Sequence, residues 1–117
     1  MMLQVFTNKK VGQMHCHIDD NNNVSFNVGD SVLGYKAHFG AGAIASNVRL
    51  DKATIKIKLE EPMDTGLEKL GALIGDMAEI GCNSVLNPGT IIGKNSTVFP
   101  LSCVVGVIAP NSVVKRS

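Results

Sequence analysis

The stretch "IGDMAEIGCNSVLNPGTIIGKNSTVF", residues 74–99, returns a large aliphatic residue at every sixth position: Ile74, Ile80, Leu86, Ile92 and Val98. Neither regular period gives this spacing. On an α-helix, six steps of about 100° turn a side chain by about 240°, which spreads these residues around the cylinder. A straight strand keeps such residues on one face but also wants apolar residues at the two alternate positions between them. Here those positions differ. The second residue after each aliphatic is Asp76, Cys82, Pro88, Lys94 or Pro100, and the fourth is always small: Ala78, Ser84, Thr90, Ser96 and Ser102. Glycine follows the aliphatic residue at Gly75, Gly81 and Gly93. Each block therefore holds one large inward residue, one small inward residue and a turn, and the chain bends once per block.

Self-similarity at this period is the signature of a parallel β-helix. Three blocks close one triangular coil, each coil advances the axis by about 4.8 Å, and coils bond to those above and below. The aliphatic residues stack in columns, and the small residues fit the cramped corners. Asn83, Asn95, Gly89 and Gly106 are expected to supply the positive-φ bends. Stacked Ser and Thr are expected to satisfy their own hydroxyls in a ladder. About 18 residues before an excursion and about 32 after it give roughly three coils. So short a solenoid leaves its ends and flat faces open, which predicts a homo-oligomer. Threefold packing of the prisms, a homotrimer, is the natural closed symmetry.

Residues 1–27 lack the rhythm and form an atypical N-terminal segment, with the turn-prone cluster "DDNNN" near its end. Residues 28–117 are expected to be the β-helix domain. In "VGDSVLGYKAHFGAGAIA" the large positions fall at Leu33, Phe39 and Ala45, with small Ala37 and Ala43. An excursion over 46–73 interrupts the coils. Within it "ATIKIKLE" alternates, placing Ile55, Ile57 and Leu59 on one face, and pairs with the preceding "NVRL" in a small antiparallel hairpin. "EEPMDTGLEKL" reads as a loop, and "VIAPNSVVKRS" as one last, slipped rung with a frayed end.

Composition narrows the function classes. The 117 residues suit one domain, and 44% are hydrophobic, as in globular chains. No apolar run of about 18 residues offers a membrane span. The first ten residues lack the form of a signal peptide. Eleven basic and ten acidic residues leave a formal charge of +1, so there is no electrostatic case for nucleic acid or a membrane surface as a partner. The three cysteines, Cys16, Cys82 and Cys103, are widely spaced, which fits a reducing, cytoplasmic location.

Two motifs, "VGDSVLGYKAHFGAGAIASN" (28–47) and "LGALIGDMAEIGCNSVLNPGTIIGKNSTVFPLS" (70–102), resemble the C-terminal left-handed β-helix of sugar-1-phosphate nucleotidyltransferases. Within that family the motifs are similar to those of the bifunctional N-acetylglucosamine-1-phosphate uridyltransferase/glucosamine-1-phosphate acetyltransferases and of related UDP-N-acetylglucosamine pyrophosphorylases. With the intervening loop, the motifs span about two-thirds of the chain. "GAGAIASN" is the more specific piece. The resemblance implies an all-β, left-handed parallel β-helix of hexapeptide repeats with a projecting hairpin or loop excursion. It also implies acetyl-CoA as co-substrate, and an amino-sugar phosphate or nucleotide sugar bound where subunits meet.

Residue by residue, the resemblance makes Asn47 the loop asparagine that helps bind the sugar, and Lys69 a lysine near its phosphate. Ala41 and Cys82 become coenzyme-contacting coil positions. At two positions the chain departs from the family. Val24 stands where the family has its general-base His, and Asn27 where it has a Tyr. The family's nucleotidyltransferase domain, with its Gly-rich phosphate loop, has no counterpart here, so no pyrophosphorylase reaction is expected.

The remaining candidates come from the residues themselves. His38, in "YKAHFG", points outward by alternation. It reads as a surface His or as a replacement base in a subunit cleft, with Lys36 on the same side as a further substrate contact. His15 and His17, followed by Asp19 and Asp20, resemble half of a metal site that nothing completes, so no metal is expected. Cys82 and Cys103 read as packing or turn residues, and Lys56 and Lys58 as solvated charges. Two functions remain open: an acyltransferase-like module, or a non-catalytic trimerisation or regulatory scaffold left by a sugar nucleotidyltransferase.

Overall fold

A computed structural model describes residues 27–115 together with the strand Gly12–Gln13. The residues His15, Cys16, His17, Asp19, Asp20 and Val24, singled out above, lie outside the described residues. All the described regular structure is β, in strands of two residues. Before the excursion these are β1 (Gly12–Gln13), β2 (Asn27–Val28), β3 (Val32–Leu33), β4 (His38–Phe39) and β5 (Ile44–Ala45). The excursion carries β6 (Lys56–Ile57) and β7 (Met63–Asp64). The coils resume with β8 (Leu73–Ile74), β9 (Glu79–Ile80), β10 (Val85–Leu86), β11 (Ile91–Ile92) and β12 (Thr97–Val98). They close with β13 (Cys103–Val104), β14 (Val107–Ile108) and β15 (Val113–Val114).

The strands stack into the three faces of a left-handed β-helix. β3, β8, β11 and β14 form the Ile91 face, with β1 added antiparallel at its edge. β4, β9, β12 and β15 form the His38 face, and β2, β5, β10 and β13 the Ile44 face. All twelve coil strands pair in parallel. Ile92 lies between Ile74 and Ile108, Ile80 between Phe39 and Val98, and Leu86 between Ala45 and Val104. The six-residue rhythm thus becomes three inward columns. Ile74, Ile80, Leu86, Ile92 and Val98 are at most 1% exposed, and Ala78, Ser84, Thr90, Ser96 and Ser102 are buried beside them, as the spacing requires.

Four turns stand where the spacing gave roughly three. Asn27–Val28 opens the first, and the segment read as a slipped rung and frayed end completes the fourth. The slip itself is visible. Leu73 lies beside Ile91, three hexapeptides on, but Ile91 lies beside Val107, two residues short of that. Only Val105 and Gly106 turn this corner, with Gly106 at φ 94°. A tight glycine bend therefore keeps the ladders in register after the sequence rhythm has broken.

Asn83 (φ 57°), Asn95 (φ 57°), Gly89 (φ 82°) and Gly106 take positive φ as expected. So do Lys36, Met77 and Leu101. Each corner is hydrogen-bonded to the one below: Asn83 N donates to Ala41 O at 3.0 Å and Leu101 N to Cys82 O at 3.0 Å. A bend set by Gly42 and Asn83 is thus imposed on Leu101, against its intrinsic preference of about 1–2 kcal/mol. The buried hydroxyls differ from expectation, because they do not bond to one another. Ser84 Oγ donates to Phe99 O and Ser96 Oγ to Ala109 O, both at 3.0 Å, while each accepts from the amide of Ser102 or Ser112 below. The hydroxyls give their protons to backbone carbonyls at the corners instead.

The excursion leaves after Ala45 and returns at Ala72, at the corner between the Ile44 and Ile91 faces. Its two ends are pinched: Leu70 N donates to Asn47 O and Gly71 N to Asp30 O, each at 2.9 Å. The hairpin pairing is not the expected one. β6 pairs with β7, drawn from the segment read as a loop, while "NVRL" runs into a turn. That turn is closed by the forked contact of Arg49 with Asp51 and by Lys52 N on Arg49 O. Ile55 and Ile57 are buried, and Leu59, past the end of the ladder, is exposed.

Candidate functional site

His38 is the outward residue of β4, directly above Glu79, Thr97 and Val113 on the same face. Its Nδ1 lies 3.1 Å from Glu79 Oε2, and the two side chains are 66% and 61% exposed. Around them, on the outside of the His38 face, runs a groove of about 360 Å³. Cys82, Thr97, Phe99 and Pro100 line its far side. Phe99 is exposed at its rim, so the groove offers an apolar wall beside an ionisable pair.

Ala41 and Cys82 share the corner that closes this face. Ala41 accepts from Asn83 N, and the Cys82 thiol lies over Gly40, where a Cβ would come within 2.9 Å of the sulfur. Both are exposed. Lys36 stands at the other end of the face, exposed, with Nζ 5.5 Å from the centroid of the Tyr35 ring. The structure therefore gathers His38, Ala41, Cys82 and Lys36 on one face and its two corners.

Asn47 and Lys69 are elsewhere. They sit at the root of the excursion, on the corner between the other two faces. In a triangular prism that corner lies opposite the His38 face, with the core between them. Asn47 is half-buried, and its Nδ2 donates to Asp30 Oδ2 at 2.8 Å. Lys69 is exposed, next to the Leu70 amide that bonds to Asn47. Within one chain these two residues cannot reach His38.

A larger hollow, about 850 Å³, opens under the excursion between Val48, Arg49, Lys56, Lys58, Pro88 and Val105. It contains none of the residues singled out from the sequence as catalytic or ligand-binding. Its Arg49 is committed to Asp51, with Nη2 2.6 Å from Oδ2. That guanidinium, with the Ala53 amide, holds the Asp51 carboxyl below its ordinary value of 3.8. On the hairpin, the Gly66 amide and the Thr54 hydroxyl do the same for Asp64.

Two polar residues escaped the sequence reading. Asp76 is 3% exposed, and its Oδ1 accepts from Tyr35 N at 2.8 Å, tying one corner to the next. Glu79 meets His38 only because the excursion is excised from the stack, so that β4 pairs with β9. Nothing in the local sequence around either residue announces that contact.

No protein-family model matches the chain. Curated proteins do. A bifunctional sugar-1-phosphate nucleotidylyltransferase/acetyltransferase from Sulfurisphaera tokodaii is 36% identical over 74 residues, 62% of this chain and 18% of that protein. The bifunctional protein GlmU of Methanococcus maripaludis is 33% identical over 89 residues, 76% of this chain and 22% of the relative. An uncharacterized acetyltransferase, YaiX, from Escherichia coli is 35% identical over 74 residues, 62% of this chain and 32% of the relative. The chain thus spans about a fifth of the length of the first two. The chain is therefore homologous to a part of these sugar-1-phosphate nucleotidylyltransferase/acetyltransferases, consistent with their hexapeptide acetyltransferase domain.

Proposed function

We propose that the chain is an acetyltransferase-like module that binds acetyl-CoA and an amino-sugar phosphate between copies of itself, as a cytoplasmic homotrimer. One observation carries the reading: the candidate residues divide between the His38 face and the corner opposite it. They form one site only if that corner of one copy meets the His38 face of another. A ring of prisms in which the Ile91 face of each copy packs on the His38 face of the next does this. The outward column of the Ile91 face is Val32, Leu73, Ile91 and Val107, aliphatic throughout; in the single chain Ile91 is already buried and the other three are partly covered. Its outer rim is the corner holding Asn47 and Lys69.

In such a junction the chemistry is acyl transfer. The sugar amine attacks the thioester carbonyl. A C–N bond forms, the C–S bond breaks, the base takes the amine proton, and the coenzyme leaves as the thiol once protonated. Lys69, with Lys36, would hold the sugar phosphate. The corner at Ala41 and Cys82 would hold the coenzyme. His38, with Glu79 beside it, is the candidate base of the groove.

A second reading, the non-catalytic scaffold, is favoured by Val24 at the family's base position and by Asn47, whose Nδ2 already donates to Asp30. The deciding experiment combines calorimetric titration with acetyl-CoA and a thiol-release assay on glucosamine 1-phosphate, using the native chain, Val24→His and His38→Ala. Coenzyme binding, with turnover lost in His38→Ala, supports the enzyme. Absence of both binding and turnover in all three leaves the scaffold. Sedimentation at micromolar concentration should give a trimer; a stable monomer sinks the shared site in either form.

A further inference from the structure

The His38–Glu79 pair has a chemical consequence that neither residue has alone. A neutral imidazole carries one proton, and the nitrogen that holds it is set by the hydrogen bond the ring makes. An ionised carboxylate accepts and cannot donate, and Glu79 Oε2 lies 3.1 Å from His38 Nδ1. The proton is therefore drawn to Nδ1, and Nε2, on the opposite edge of the ring, is left with a bare lone pair. Nε2 makes no hydrogen bond among the described residues.

The pair is held by the fold. His38 and Glu79 are facing residues of parallel strands β4 and β9. Their backbones are locked by His38 N donating to Ala78 O at 2.9 Å and Gly40 N to Ile80 O at 2.7 Å. The inward neighbours Phe39 and Ile80 are both buried, so neither strand can slip without turning its face inside out. Thr97, Phe99 and Pro100 line the groove beside the pair, whose two side chains stay largely exposed.

We infer that Glu79 is a positioning residue: it fixes His38 as the Nδ1–H tautomer and presents Nε2 as the basic nitrogen of the groove. A ligand with a protonated amine or a hydroxyl would donate to Nε2, and an amine nucleophile would give its proton there. The acyl-transfer use of this nitrogen rests on the function proposed above; the tautomer does not.

The test is therefore spectroscopic first. Long-range proton–nitrogen correlation of ¹⁵N-labelled protein, at a pH where His38 is neutral, reports which ring nitrogen is protonated. The native chain should show Nδ1–H. Glu79→Ala should shift His38 toward the Nε2–H form, and Glu79→Gln, whose amide oxygen still accepts, should keep Nδ1–H. A native Nε2–H tautomer, or a spectrum unmoved by Glu79→Ala, overturns the inference. If the native chain turns over glucosamine 1-phosphate, Glu79→Ala should lower kcat about 10-fold or more with little change in KM for acetyl-CoA, within the span of general-base effects. Glu79→Gln should restore part of the loss, and equal activity of all three overturns the inference. Absence of turnover in the native chain counts against the proposed function and leaves the tautomer measurement to decide the role of Glu79.

Discussion

Replacing Ile92 by Ala probes the column at a fully enclosed point. Ile92 is 0% exposed, with Ile74 stacked one coil above and Ile108 one coil below. The substitution removes three buried carbons, worth about 2.4 kcal/mol in transfer alone at ~0.8 kcal/mol each. A cavity term adds to this, because the walls have little room to close. Gly75 N donates to Ile92 O at 2.8 Å and Gly93 N to Ile108 O at 2.8 Å, so the backbone is tied to the coils on both sides. The expected cost is about 3–5 kcal/mol, in the upper part of the range for such truncations. Ile108→Ala, in the last coil and only partly buried, should cost about 1–2 kcal/mol. Equilibrium urea unfolding at one fixed protein concentration measures both, with an unchanged slope confirming that compactness is unaltered. A cost below about 1 kcal/mol for Ile92→Ala, or equal costs at the two sites, would refute a rigid, laddered prism.

Gly89→Ala should destabilise by about 1–3 kcal/mol, since φ is 82° and the new Cβ would sit 2.8 Å from Ile55 Cγ2. Amide exchange should quicken at Ile55 while Ile92 keeps its protection. Asn47→Ala removes the 2.8 Å bond to Asp30, and should cost about 1–2 kcal/mol and speed exchange of the Leu70 amide at the root of the excursion. The depressed Asp64 carboxyl makes the hairpin pH-dependent. The native state binds this proton less readily than the unfolded chain, so the stabilisation is complete above the ordinary value of 3.8 and is lost as pH falls below it. Exchange of the Gly66 amide, followed from pH 6 to pH 3, should accelerate only at the acid end relative to Asp64→Asn, and identical profiles would exclude the effect.

The coil was legible because its constraint is one-dimensional. Each block must turn an inward residue toward the axis, so Ile74, Ile80, Leu86, Ile92 and Val98 declare themselves by spacing alone. The fourth turn was hidden where a two-residue corner at Val105 and Gly106 broke that spacing while the ladder ran on, held by neighbours the sequence does not place. The hairpin was misread for a related reason. "NVRL" carries strand-forming side chains, but Arg49 and Asp51 close a turn on each other, leaving "MDTGL", with weaker strand propensity, to donate Thr65 N to Ile55 O.

The candidate site follows the same division. His38, Ala41 and Cys82 lie within coils, and their outward direction follows from the phase of the repeat. The partner of His38 does not, because Glu79 arrives from beyond an excursion whose length sets no register of its own. Nor does the separation of Asn47 and Lys69 from His38, which depends on which of three corners the excursion uses. Proximity along "HFGAGAIASN" places Asn47 near His38 in sequence, yet two corners of the prism carry it to the opposite side. In a solenoid, neighbours in space are one turn apart rather than one block apart. A site spread over several blocks of a single turn is therefore completed only by the next coil or by a second copy.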